Sequence, residues 1–188
     1  CKGASKGCKQ SCLINSGRMI MESAVNARQN RTAYYFNDNE MFTMTLQGEI
    51  AALLYKATKQ GKRLAMRLNG TSDLDWSSIY KAFPTVQFYE YTKRPDLAKK
   101  LNKINNVHIT FSKHENHSES NVKKLLASGV NVAVVFNKEV PSEYINIMVI
   151  DGDKHDRRFE DTQGRIIGLK LKGTNKVKQL AIESGFAV

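Results

Sequence analysis

Beyond residue 12 this chain of 188 residues has no cysteine. That excludes a disulfide framework, which needs paired thiols spread through a fold. Proline is scarce as well, at Pro84, Pro95 and Pro141 only, and no Pro/Gly-rich linker or low-complexity stretch divides the sequence. One domain spanning residues 1–188 is therefore expected, long enough to bury a sizeable core. No apolar run approaches the length of a membrane span, and no apolar segment follows the basic first residues as a secretory signal requires. No membrane partner is expected, and a reducing cytoplasm suits three unpaired thiols. The first residue is Cys rather than Met, so an upstream part is expected to be missing, with a processed lipoprotein lipidated at Cys1 as the rival reading.

Acidic residues are in deficit. Eighteen Asp and Glu face 29 Lys and Arg, a formal net charge of +11. Such an excess attracts polyanions, which makes nucleic acid a candidate partner; solubility alone is the plainer account. The basic residues recur from Lys2, Lys6 and Lys9 through to Lys176 and Lys178, and no single arm concentrates them.

Short β-branched or aromatic segments alternate with helical ones. Arg63–Leu68, Val86–Tyr91, Val107–Phe111, Val130–Phe136, Ile145–Ile150 and Arg165–Lys170 have the composition of strands. Asn39–Lys59, Leu74–Phe83, Asp96–Ile104 and Ser118–Ser128 have helical spacing. Asp96 and Ser118 are placed as caps, and Gly61 and Gly129 as stops. Most strands recur at roughly 21 to 24 residues, the length of a βα unit, which calls for a parallel sheet. The expected fold is α/β, a parallel βα-repeat partial barrel of TIM-like kind, with an open doubly wound sheet as the alternative. Met19, Met21, Met41 and Met44 lie at helical spacings and are assigned to the core.

In parallel α/β folds, ligands bind beyond the carboxyl ends of the strands. Those ends are strongly polar here. Arg67, Asn69, Gly70, Thr71 and Ser72 follow the first strand, and Gly70 would let the backbone approach a ligand; these are candidate cofactor-binding residues. Asp73, Glu90, Asp151 and Asp153 are candidate catalytic carboxylates, the last two able to hold a divalent cation. The plainer alternatives are a helix cap at Ser72 or Asp73 and an Asp-Gly turn at Asp151. His114 and His117 are read as a polar loop, and His108, inside a strand, as structural.

The three thiols, Cys1, Cys8 and Cys12, have the spacing C-x6-C-x3-C and are interleaved with Gly3, Ser5, Gly7 and Ser11. Three thiolates in a flexible loop hold a metal and leave one coordination position open. A [4Fe–4S] cluster, a zinc ion with a distant His as fourth ligand, and a metal-free loop all stay open on spacing alone.

The cysteine loop with Gly17-Arg18 and Ala27-Arg28, the run Arg67-Leu-Asn-Gly-Thr-Ser-Asp73, Val86–Thr92, Val132–Phe136 and Asp151-Gly-Asp153 together resemble the phage "gene product eighty-eight"-like family over nearly the whole chain. The resemblance implies a setting in bacteriophages and mobile elements, hence a host-cell cytoplasm, and no particular reaction. More distantly, the layout resembles radical S-adenosylmethionine enzymes, which place a three-cysteine loop after the first strand of a partial barrel. That likeness implies Cys1, Cys8 and Cys12 as cluster ligands, and Asn69 to Asp73 as the place where S-adenosylmethionine is bound through its amino group. The spacing departs from that superfamily's usual C-x3-C-x2-C, and Ser11 stands where an aromatic residue is usual. Three functions follow: an iron–sulfur enzyme acting on an unnamed substrate, nucleic acid among them; a basic nucleic-acid-binding or processing protein with a structural metal; and a phage accessory protein without catalysis.

Overall fold

The computed structural model describes residues 1–188. The chain opens with a short helix α1 (Lys6–Gln10), whose first turn is capped by Ser5: its Oγ accepts the Cys8 backbone N–H at 3.1 Å. Two 3-10 turns lead to a helix pair, α2 (Glu22–Asn37) and α3 (Asn39–Lys59), joined at Asp38, whose carboxylate caps α3 by accepting from Met41 N. Then come β1 (Ala65–Met66), α4 (Ser77–Ala82), β2 (Gln87–Thr92), α5 (Pro95–Leu101), β3 (Val107–Ser112), α6 (Glu119–Ala127) and β4 (Val132–Phe136). The hairpin β5 (Glu143–Tyr144) and β6 (Ile147–Asp151), the strand β7 (Ile166–Lys170) and the helix α7 (Asn175–Glu183) complete it.

The strands form one seven-stranded sheet in the order β1-β2-β3-β4-β7-β6-β5. Every neighbouring pair is parallel except β5 with β6. The sequential order expected of a barrel holds from β1 to β4 and stops there. Around Pro141 the stretch is too short for a helical crossover, so the chain makes an antiparallel hairpin, which needs only a tight turn. Ile145 and Asn146 supply that turn with left-handed backbone, φ 51° and 63°. β7 then returns between β4 and β6. β1 and β5 are left as opposite edges, so the sheet is open and a TIM-like closure is not formed.

Side chains alternate across each strand. Phe88, Ile109, Phe111, Val132 and Val134 face one side and form the main core with Leu97, Leu101, Val122 and Leu125 from α5 and α6. Tyr89, Tyr91, His108 and Thr110 face the other side. There the 3-10 turn Arg158–Glu160 covers the middle of the sheet: Phe159 packs on Tyr89 at 5.5 Å, and Arg158 is fully buried, 3.3 Å from Asp161. Towards the carboxyl ends that covering stops, and the second face opens into a cavity.

Two assignments of caps and core need correcting. Asp96 lies in the first turn of α5, not at its cap; the cap is Arg94, and Pro95 opens the helix with its fixed φ. Met21, Met41 and Met44 are not core residues: each is about half or more exposed. On α3 the buried stripe is Phe42, Leu46, Ile50 and Leu54, and both methionines lie on the opposite face. Helical spacing is the same for both stripes, so the periodicity does not say which one meets the sheet.

Candidate functional site

The cavity at the strand tips has a volume of about 660 Å³. One wall is the amino-terminal segment, with Cys1, Cys8 and Cys12. Arg67 and Asn69 to Ser72, after β1, line the cavity as well. Tyr91 to Lys93 and Ser112 come from the ends of β2 and β3. Gly152, Asp153, His155 and Asp156 follow β6, and Leu169 to Lys172 end β7. The three cysteines and the polar tips therefore meet around one space. All three thiols are free.

Two groups tie the cysteine segment to the body. Glu115, after β3, accepts from Ser5 Oγ at 2.7 Å and from Gly7 N at 2.8 Å, which anchors the first turn of α1. Burial works to raise its carboxyl, but these donors outweigh it and hold the group below its ordinary range. Lys93 sits behind Cys8. Its Nζ donates to Ser112 Oγ at 2.8 Å and to the Lys113 carbonyl at 3.2 Å, and lies 4.8 Å from the centre of the Phe186 ring. Burial pushes the Lys93 amine down, and the neighbouring Cys8, Glu115 and Cys12 work against that. Burial likewise pushes the Cys8 thiol up, with the Lys93 charge opposing it. The segment is packed closely: a Cβ on Gly3 would meet Lys93 Cβ at 2.8 Å, and one on Gly7 would meet the Glu115 carboxylate oxygens at 2.9 Å.

The loop after β1 is built from within. Asn69 Oδ1 accepts from Ser72 Oγ, Leu74 N and Trp76 Nε1 at 2.7 to 3.3 Å, while its Nδ2 donates to the Leu74 carbonyl at 3.0 Å. Asn69 is buried, and its side chain shapes the loop that lines the cavity. Arg67 stands differently. Its guanidinium lies 4.7 Å from the centre of the Tyr91 ring and 3.7 Å from the Asp156 carboxylate, on the cavity wall. A Cβ on Gly70 would meet nothing within 4 Å, and its φ is outside the left-handed region. Glycine at that place keeps the cavity clear; the backbone does not require it.

The four carboxylates expected to be catalytic are not together. Asp73 is buried beneath the rim, where it accepts from Thr92 Oγ1 at 2.6 Å and lies 3.9 Å from Arg94. Glu90 is buried on the core face of β2, accepting from Leu68 N at 2.6 Å, Asn69 N at 2.9 Å and Tyr80 Oη at 3.3 Å. Burial raises its carboxyl to about 7, although every partner is a donor that favours the ionised form. Asp151 lies off the cavity wall, its Oδ1 accepting from Asp153 N. Asp153 alone of the four lines the cavity, where it takes the Lys172 ammonium at 2.5 Å and Lys170 N at 2.8 Å.

Among the cavity residues that sequence reasoning left out of the site are Lys93, His155 and Phe186. His155 is held from behind by the buried Arg158, which donates to its carbonyl and lies 3.3 Å from its Nδ1. Arginine has no acceptor, so Nδ1 accepts in this contact, which leaves Nε2 as the N–H of the ring. His155 is thus set up as a donor. His114 and His117 lie elsewhere, in the polar loop expected, with their Nε2 atoms 2.9 Å apart. No three Cys, His, Asp or Glu side chains lie close enough to close round a metal ion as the chain stands.

The Gene product 88 family matches residues 1–188. The chain belongs to the Gene product 88 family. That bears out the resemblance carried by the cysteine loop and by the Arg67–Asp73 run of this Gene product 88 family member. No curated protein and no solved structure matches the chain. No helix is long and apolar enough to cross a membrane.

Proposed function

We propose that this Gene product 88 family member is an iron–sulfur enzyme in which Cys1, Cys8 and Cys12 hold the cluster and the strand-tip cavity holds a small polar molecule beside it. The supporting observation is that all three thiols and the Asn69–Ser72 segment line the same cavity. The donor set fits such a cluster. Three free thiols are soft ligands, and the chain has no fourth cysteine, which leaves one coordination position for a bound molecule. Cys1 is exposed at the start of the segment, and the three thiols would have to come closer together to hold a cluster. When bound, such a cluster supplies one-electron chemistry.

The chain's own groups supply the rest. Arg67, over the Tyr91 ring, presents guanidinium N–H groups to a carboxylate or phosphate. Lys93 places a positive charge behind the thiolates, lowering the cost of gathering several negative sulfurs in one place. His155 offers a donor and Asp153 an acceptor on the cavity wall. Asp73 and Glu90 hold the rim loop from below, and Asp151 braces Asp153. The unbroken run from β1 to β4 supports an open partial barrel around the site, and S-adenosylmethionine is the cosubstrate that the more distant resemblance implies.

Anaerobic reconstitution with iron and sulfide tests this. The wild type is expected to retain about four iron and four sulfide per chain, as a [4Fe–4S] cluster requires, and Cys8→Ser and Cys12→Ser to retain little of either. A colourless wild type holding zinc alone, or no metal, sinks the proposal.

One observation favours a polyanionic substrate. The segment 22–59 holds four basic and four acidic residues, so the whole +11 lies on the rest of the chain. Binding to nucleic acid through that surface weakens steeply as salt rises. Affinity that stays flat between low and moderate salt rejects this substrate class while leaving the cluster intact. If Cys8→Ser lowers stability and no reaction is ever found, the accessory, non-catalytic role takes over.

A further inference from the structure

The α2–α3 pair is the most exposed part of the protein. None of the sixteen residues of α2 is buried, and of the 21 in α3 only Ile50 is. An isolated helix of this length is marginal in water, and helices in proteins are held by burying an apolar face. α3 does this once, through Phe42, Leu46, Ile50 and Leu54. It also carries a second stripe on the opposite face: Met41, Met44, Gly48, Ala51, Tyr55 and Thr58, all exposed. Their spacing alternates three and four, the heptad pattern of a helix that packs along another helix. Met44 and Tyr55 are 58 % and 63 % exposed, with only Lys59 lying over the Tyr55 ring.

We infer that this stripe pairs with its equivalent in a second copy of the chain, as an antiparallel two-fold dimer. Two features select that occupant. The first is charge. Residues 22–59 are neutral overall, with Arg28, Arg31, Lys56 and Lys59 balancing Glu22, Asp38, Glu40 and Glu49, while the rest of the chain carries +11. The net positive charge that makes two copies repel therefore has no share from this segment.

The second feature is self-complementarity. A two-fold contact places the same patch on both partners. Turned antiparallel about the midpoint of Glu49 and Ile50, the stripe sets Met44 against Tyr55 of the second copy, Met41 against Thr58, and Gly48 against Ala51. The large side chains thus oppose one another at the ends, and the small ones meet at the crossing. A Cβ on Gly48 would touch nothing within 4 Å, so a neighbouring helix can approach closely there. A helix of this length gives a contact about 30 Å long. The dimer leaves the strand-tip cavity free, because that cavity draws no residue from α2 or α3.

Light scattering on the eluted full chain measures the mass. The wild type is expected at twice the chain mass of 21.2 kDa. Met44→Glu and Tyr55→Lys are each expected to run as monomers with unchanged circular dichroism, since both positions are exposed in the single chain. An equimolar mixture of the two variants is expected to recover the dimer, because the carboxylate introduced in one chain then faces the ammonium introduced in the other. A wild type that stays monomeric well above micromolar concentration overturns the inference, as does a dimer that survives both substitutions. Monomeric variants that fail to recover on mixing overturn the antiparallel pairing.

Discussion

The Glu115 carboxylate and the Gly7 backbone N–H meet at 2.8 Å across 108 positions of sequence. With the 2.7 Å bond from Ser5 Oγ, this contact holds the cysteine segment against the tips of β2 and β3. Hydrogen bonds to a charged group contribute about 1.5–3 kcal/mol each. Glu115→Ala is therefore expected to release residues 1–12 while the sheet stays folded. Hydrogen exchange of the Gly7 and Cys8 amides should rise roughly tenfold or more in the variant, as local opening becomes easier, with a melting temperature within a few degrees of the wild type. Unchanged exchange at those amides contradicts the anchoring role.

Glu90 makes stability depend on pH. Its carboxyl stands at about 7 against an ordinary 4.5, because burial disfavours the charge. A folded state that holds its proton up to higher pH than the unfolded chain is most stable below 4.5 and loses that advantage as pH rises through 7. At 1.36 kcal/mol per pH unit the loss comes to about 3 kcal/mol. His108 and His114, pushed down to about 4 by burial, act in the opposite sense below pH 6.5. The comparison with Glu90→Gln removes their contribution. Urea unfolding from about pH 4 to about pH 9 should show the wild type losing stability relative to Glu90→Gln as pH rises from about 4.5 to about 7, with the difference levelling off above that. A constant difference between the two rejects a protonated Glu90.

Two glycines in the cavity wall separate space from packing. A Cβ on Gly152 would meet Ile167 Cγ2 at 2.6 Å and Arg158 Nη1 and Leu169 Cδ2 at 2.8 Å, so the position is already filled. Gly152→Ala is expected to cost about 1–3 kcal/mol, as overpacking does. Gly70→Leu has open space and is expected to leave the melting temperature almost unchanged while narrowing the cavity. Thermal melts of both variants check the contrast. If both are equally destabilised, the rim loop is packed more tightly than described.

The sequence was informative where local chemistry decides. Ser118 caps α6 by accepting from Asn121 N, Gly129 ends it with φ 82°, and α3 spans Asn39–Lys59 as its spacing indicates. All six expected strands lie in the sheet. What stayed hidden depends on tertiary placement. A carboxylate after a strand reads the same whether it meets a ligand or a backbone N–H, so Asp73 and Glu90 resemble Asp153 in sequence. A signal did exist for Glu90: it continues the alternation of Val86 and Phe88, which places it on the buried face. Lys93 and Phe186 are 93 positions apart, and nothing local joins them. The hairpin strand β5 is only two residues long and gave no periodicity from which to foresee that the sheet stays open.

The central claim is that the thiols and the strand tips form one site. Electron paramagnetic resonance of the reduced, reconstituted protein tests it most directly, recorded with and without S-adenosylmethionine in the wild type and in Gly70→Leu. Added cosubstrate should shift the cluster signal in the wild type and leave it unmoved in Gly70→Leu, where the cluster forms but the space beside it is filled. A cluster signal in the wild type that ignores the cosubstrate, or a shift that persists in Gly70→Leu, would contradict a shared site.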